Sequence, residues 1–230
     1  MTTLHPLDDP ITNALFGRQS GIAQTKGRIA RFHPDISLFY AHPRDLTDQD
    51  WADLAALSSG TTASIRDRRG PLPAGWQILE TVDLVQYSGE HVDTEPFDGA
   101  PKVVELTAAD VAEMSALVRL TKPGPFLART IELGTYLGVR DDDGSLIALA
   151  GERMRPDGWT EISAVCTAPA ARGRGLASTL IRAVGAGIRA RGDLPFLHTS
   201  ANNPARKLYE SMGFELRSEV PLEVVRAPHS

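Results

Sequence analysis

The sequence predicts an α/β fold in two units, a smaller N-terminal lobe followed by a mixed sheet flanked by helices. Three observations carry this. From Lys102 onward, stretches with the period of a strand alternate with stretches of helical period, which is the pattern of an α/β sheet. SGEHVDTEPFDGAP, Ser88 to Pro101, is polar and acidic with two prolines and no period, so it reads as a linker between packed units at 1–95 and 102–230. The chain has 230 residues, 42% of them hydrophobic, enough for a real core.

In the N-terminal half, Pro10 to Gln24 reads as a short helix, and RIARFH and ISLFYA read as strands around Pro34. Thr47 caps a helical stretch through Leu57, and the prolines and glycines of RRGPLPAGW make a turn before a strand near Trp76 to Tyr87. No chemical motif stands out in this half. It is expected to be a lobe supporting the C-terminal half or a homodimer surface; a decayed copy of the C-terminal half is a further reading, although no internal repeat is visible.

In the C-terminal half, KVVEL is a strand, and Thr107 with Asp110 opens the helix ADVAEMSALVRL in the manner of a capping box, with Asp in place of Glu. LTKPGPFLARTIELG must bend, because Pro123, Gly124 and Pro125 cannot sit inside a helix. TYLGVRD and SLIALAGERMRP flank the acidic turn DDDGS as a hairpin, and WTEISAVCTAP is another strand. Leu176, Leu180, Val184 and Ile188 recur at helical spacing. PFLHTS is a strand, Pro204 to Met212 a helix, and FELRSEVPLEVVR ends the chain in strand-like runs.

Composition excludes several classes of function. With 24 basic and 29 acidic residues the net charge is −5, which disfavours nucleic acid and anionic membrane as partners. The single cysteine, Cys166, cannot form an internal disulfide, and six scattered histidines show no metal-ligand spacing, so no metal is expected. MTTLHPLDDP lacks the basic start and apolar core of a signal peptide, and no apolar run is long enough to span a bilayer. A cytoplasmic protein is expected.

The stretch TAPAARGRGLAS, Thr167 to Ser178, lies where a strand ends and a helix begins. Unpaired backbone N–H groups and the positive end of the helix dipole meet there and bind anions. Gly173 and Gly175 have no side chain to obstruct a pyrophosphate, and Arg172 and Arg174 add charge. A Walker loop would need GxxxxGK[ST], and a dinucleotide fingerprint would need glycine or alanine where Ser178 stands. Phosphate binding survives; nucleotide hydrolysis and nicotinamide binding do not.

RGRGLA resembles the [QR]xxGx[GA] pyrophosphate loop of the GNAT superfamily of acyl-CoA-dependent N-acyltransferases, with Arg172, Gly175 and Ala177 at the fixed positions. NNPARKLYESMGFE is similar to the family's downstream pattern NxxAxxLYxxxGF, at Asn202, Ala205, Leu208, Tyr209, Gly213 and Phe214. Two motifs in the right order, separated by an amphipathic helix and a strand, make the resemblance specific over about Lys102 to Val225. It implies a mostly antiparallel GNAT-like sheet and acetyl-CoA as cosubstrate.

The resemblance also implies a site. The strand before the loop splays from its neighbour and offers its backbone to the pantetheine arm, placing Val165, Cys166 and Thr167 nearest the thioester. Arg172, Gly173, Arg174, Gly175, Leu176, Ala177 and Ser178 cradle the pyrophosphate. Asn202 stands where the family holds the cofactor arm, or alternatively caps the helix at Pro204. Tyr209 matches the acid that protonates the leaving thiolate, its plain alternative being an aromatic packed on the sheet. Glu161 resembles a glutamate that works through water as base, with Glu152 and His198 as competitors and a solvent-facing carboxylate as the plain reading. Cys166 is better read as a small buried filler than as a nucleophile, since no base stands at a visible spacing.

Substrate selection in this family comes mainly from LTKPGPFLARTIELG and SEVPLEVV, where Lys122 and Arg129 suggest an acceptor carrying a carboxylate, while the acidic total would suit a polyamine or peptide amine. The expected function is N-acetyl transfer to a small-molecule or peptide amine; the alternative is a non-catalytic module that binds acyl-CoA for sensing or assembly.

Overall fold

The computed structural model describes residues 5–228; the opening MTTL, within the stretch read above for a targeting signal, lies outside the described residues. The N-terminal half begins with α1 (Pro10–Phe16), whose cap is Asp9, and a small sheet of β1 (Ala23–Lys26), β2 (Ile29–Phe32) and β3 (Tyr40–Ala41). The helix expected as far as Gln24 stops at Phe16, because Gly17 breaks it and Gln24 is already paired with Arg31. Only the last two residues of ISLFYA are strand: Ile36 closes a turn, its N–H donating to His33 O at 2.8 Å, and Phe39 makes an isolated bridge to Ser64. α2 (Asp48–Ser58) starts as expected, with Thr47 Oγ1 accepting from Asp50 N at 3.3 Å and Asp50 Oδ2 accepting from Thr47 N at 2.8 Å, a cap contributing about 1 kcal/mol.

The remaining strands are β4 (Thr62–Arg66), β5 (Gln77–Ser88), β6 (Val104–Leu106), β7 (Tyr136–Arg140), β8 (Leu146–Glu152), β9 (Trp159–Thr167), β10 (Leu194–Ser200) and β11 (Glu215–Arg226). They form one sheet in the order β4-β11-β5-β10-β9-β8-β7-β6. Its pairings are antiparallel except β9 with β10, so the mixed, mostly antiparallel sheet is as expected. β4 was not foreseen. β5 comes from the N-terminal half, yet it lies between β11 and β10, so the polar stretch from Ser88 to Pro101 does not divide the sheet into separate units.

α3 (Val111–Thr121), α4 (Leu176–Ala190) and α5 (Arg206–Ser211) cover the sheet. Side-chain alternation on β8 divides the core: Ala148 and Ala150 pack beneath α4 and α5 with Leu180, Ile181, Val184 and Ile188, while Leu149 packs under α3 with Met114, Leu117 and Cys166. The N-terminal lobe docks through Leu7, Ile11, Leu15, Phe32 and Ile36 onto Trp159 and Phe196.

Gly89 to Ala100 is a strap along α4. Arg189 donates to Gly89 O at 3.0 Å and Glu90 O at 2.7 Å, Arg182 donates to Glu95 O at 2.8 Å and pairs with Asp93, and Thr94 packs so closely on Gly185 that a Cβ there would lie 2.8 Å from its methyl. No described helix is long and apolar enough to cross a membrane.

Candidate active site

Between β9 and α4 the chain makes a single 3-10 turn, Pro169–Ala171, and then passes through Gly173 and Gly175, whose φ angles of 79° and 74° lie in the left-handed region. An L-residue with a Cβ meets steric cost there, so the two glycines answer a backbone requirement. The first bond of α4 runs from Thr179 N to Gly175 O at 3.1 Å. Among the described residues, the N–H groups of Gly173, Arg174, Gly175, Leu176, Ala177 and Ser178 reach no acceptor, and no side chain caps the helix. A fifteen-residue helix dipole points at the same place. The result is a nest of donors built for an oxyanion-rich group.

The strand leading into the nest leaves its neighbour open. β9 and β10 pair at Trp159–Leu194, Thr160–Pro195 and Glu161–Phe196, and pairing stops there. On its other side β9 carries one extra residue against β8, between Ser163–Gly151 and Cys166–Leu149, and Ala164 within this bulge takes φ 55°. The facing backbone edges beyond Glu161 and Phe196 are therefore free, and Val165, Cys166 and Thr167 line that gap. The Cys166 thiol is buried, and burial pushes its pKa up, which favours the inert filler over the nucleophile.

Tyr209 sits on α5 in the same apolar cluster as Ile162, Val165 and Leu197, with ring centroids 6.2 Å from Tyr87 and 6.1 Å from Phe214. Its hydroxyl has no hydrogen bond among the described residues and is not sealed from solvent. Burial pushes its pKa up to about 12, so the phenol keeps its proton at neutral pH. Tyr87, alongside, is engaged: its hydroxyl donates to Glu210 at 2.6 Å and accepts from Arg206 at 2.8 Å.

Glu161 stands at the last paired position before the gap and is fully buried. Arg153 grips both of its oxygens, Nε to Oε2 at 2.8 Å and Nη2 to Oε1 at 2.6 Å, and His198 Nδ1–H donates to Oε1 at 2.8 Å. His198 Nε2 accepts from Gln86 Nε2 at 3.0 Å, a direction fixed because Gln86 Oε1 takes a hydrogen bond from Arg217 at 3.1 Å. Burial alone would raise the Glu161 pKa; the Arg153 charge and the hydrogen bonds from Arg153 and His198 outweigh it and hold it down to about 2. Burial pushes the His198 pKa down, so the imidazole is neutral. The plain reading of Glu161 as a solvent-facing carboxylate is thus incorrect, while His198 is a buried imidazole with both ring nitrogens hydrogen-bonded.

The other candidates are placed as follows. Glu152 is buried and tied to Arg155 at 2.6 Å and to Arg191. Asn202 is exposed on the turn after β10 and makes no hydrogen bond among the described residues. The capping role belongs to its neighbour Asn203, whose Oδ1 accepts from Ala205 N at 2.9 Å while its Nδ2 donates to Thr199 at 2.6 Å. Arg129 is occupied by Glu132 at 2.6 and 2.8 Å, and Lys122 is an exposed left-handed C-cap of α3. Arg153, Gln86 and Arg217 escaped sequence reasoning, because residues eight to more than a hundred positions apart in sequence carry no local signal.

Comparison with known proteins agrees with this geometry. Residues 136–221 match the family described as FR47-like protein. The chain is similar to a solved structure from Novosphingobium aromaticivorans described as an acetyltransferase of the GNAT family, with 38% identity over 98% of this chain and 100% of that one and a TM-score of 0.86. A GCN5-related N-acetyltransferase from Kribbella flavida shares the fold, with a TM-score of 0.64 and 16% identity over 95% of this chain and 96% of that one. No curated protein matches. With that 38% identity over nearly the whole chain, the chain belongs to the GNAT family of acetyltransferases.

Proposed function

We propose that this protein is an N-acetyltransferase that moves the acetyl group of acetyl-CoA to a primary amine of a small molecule or peptide by direct attack. The observation that carries the reading is the run of unpartnered N–H groups from Gly173 to Ser178 at the mouth of the open β9/β10 gap. The pyrophosphate lies on the nest, and the pantetheine takes the place of the missing strand pairing. Backbone N–H groups near Val165 to Thr167 polarise the thioester carbonyl, where negative charge develops during attack. The amine nitrogen bonds to the acyl carbon, the carbon–sulfur bond breaks, Tyr209 delivers its proton to the departing thiolate, and the proton shed by the acylated nitrogen restores the phenol. Asn202, exposed and unbonded, is available to the cofactor arm.

In this reading Glu161 positions the gap and does not take the proton. A carboxylate with both oxygens engaged and a pKa of about 2 is a weak base, so the amine sheds its proton to water, and the rate rises with pH up to the acceptor's own pKa. A buried thiol fits a reducing, cytoplasmic setting. The test is thiol release from acetyl-CoA against a panel of amines, with Tyr209→Phe as control. That Glu161 and Glu152 are both buried and held by arginines favours the second reading, a non-catalytic acyl-CoA-binding module. Tight CoA binding with no release from any amine would select that one.

A further inference from the structure

Phe97 is an aromatic side chain with 41% of its surface exposed, and it belongs to none of the buried clusters among the described residues. Such a ring is commonplace at a loop tip, but Phe97 is not on a loose loop. The strap reaches it from the α4 side through Arg182, which holds Glu95 O at 2.8 Å and pairs with Asp93. Immediately after it a turn closes, with Ala100 N donating to Phe97 O at 3.1 Å and Gly99 at φ 77°. This anchoring delivers the ring to one address: its Cζ lies 3.8 Å from where a Cβ of Gly175 would be, beside the nest of free N–H groups. That spacing is ordinary contact, so the glycine is required by its φ and not by the ring. The ring therefore rests beside the nest with 41% of its surface open to a ligand.

We propose that Phe97, carried from the N-terminal half on the strap, is the platform on which the adenine of the cofactor stacks. The inference rests on the CoA reading above and goes further, because neither glycine motif includes the strap. A base lies one ribose from its phosphate, so phosphates seated on Gly173 to Ser178 bring the base within reach of a ring flanking that nest. The thioester end is drawn to the open β9/β10 edges, which leaves the nucleoside end at the loop. A flat aromatic face is what a purine needs, and Arg172, exposed and without an ion pair among the described residues, adds positive charge near the nucleotide's phosphates.

Titration calorimetry with two probes, CoA and 4′-phosphopantetheine, tests this on wild type, Phe97→Ala and Phe97→Tyr. Loss of one stacking partner should raise the Kd for CoA about tenfold in Phe97→Ala. Phe97→Tyr keeps the ring and should stay within about twofold of wild type, and the affinity for 4′-phosphopantetheine, which lacks the base, should be the same in all three proteins. Unchanged CoA affinity in Phe97→Ala overturns the inference, as does an equal loss for both probes, which would mean that the ring supports the loop. A wild-type protein that binds no CoA overturns the cofactor reading itself, a result distinct from either of these.

Discussion

Tyr209 and Gly175 show how single residues divide the work between chemistry and binding. A phenol whose pKa stands at about 12 holds its proton through the pH range of the reaction and so is in the donor form when the thiolate departs. Tyr209→Phe removes that proton and little else, because the ring packing against Tyr87 and Phe214 is kept. It should lower kcat about a hundredfold while leaving the Kd for CoA unchanged, as steady-state thiol release paired with calorimetry would show; an unaltered kcat would remove Tyr209 from the acid role. Gly175→Val acts in the other direction. A β-branched residue at φ 74° costs about 1–2 kcal/mol in backbone strain and closes the nest, so CoA binding should be lost while the circular dichroism spectrum stays native. Both residues were legible in the sequence because each belongs to a short motif. Asn203 was not, since the cap and the motif asparagine are adjacent and only geometry tells them apart.

At the scale of elements, the junction of β9 and β10 is fixed by a polar chain that no periodicity could announce. Arg153, Glu161, His198, Gln86 and Arg217 come from four strands and the turn after β8, and their side chains meet only when the sheet forms. Sequence patterns report which face of a strand is apolar, and so the alternation on β8 and the stripe on α4 were readable while this chain was hidden. Removing one member leaves its partner charged in the interior: Glu161→Gln should destabilise the protein by about 3 kcal/mol in urea unfolding. The titration follows with definite sign. Glu161 has a folded pKa depressed to about 2 from 4.5, so its contribution is complete above pH 4.5 and is lost as pH falls toward 2. His198 and His42 are depressed below their ordinary 6.5 by burial, and His42 Nε2 accepts the Arg66 N–H at 3.0 Å, which a protonated ring could not do. Below pH 6.5 the unfolded chain therefore takes up protons that the native state refuses, and stability declines by up to about 1.4 kcal/mol per pH unit for each histidine. Urea midpoints between about pH 7.5 and 5 should fall steadily in the wild type and less steeply in His198→Asn, which keeps an N–H for Glu161; parallel slopes would show that His198 does not titrate between the two states.

For the whole molecule, the polar stretch from Ser88 to Pro101 looks like a seam because composition records solvent contact and not connectivity. As a strap it is wet on one side and held by arginines of α4 on the other, so it carries the acidic, proline-bearing character of a linker without the freedom of one. β4 was missed for a related reason: TASIR is short and abuts the turn-rich RDRRG, and its pairing with residues Leu222 to Arg226 lies across the whole chain. The sheet thus runs through both halves. β5 pairs with β10 over Ser88 to Leu84 and with β11 over most of its length, and Val85 and Tyr87 are fully buried beneath α4 and α5. A chain cut to residues 102–228 would lose β4, β5 and the strap, leaving one edge of β10 and both edges of β11 unpaired and opening the cluster that holds Tyr209. An excised strand of this kind cannot be replaced by water without exposing the apolar face it covered. The truncated protein should show no cooperative thermal transition by circular dichroism and no CoA binding, whereas full-length protein should unfold in one transition. A truncated chain that melts cooperatively and binds CoA would restore the C-terminal half as an independent domain and reduce the N-terminal half to an appendage.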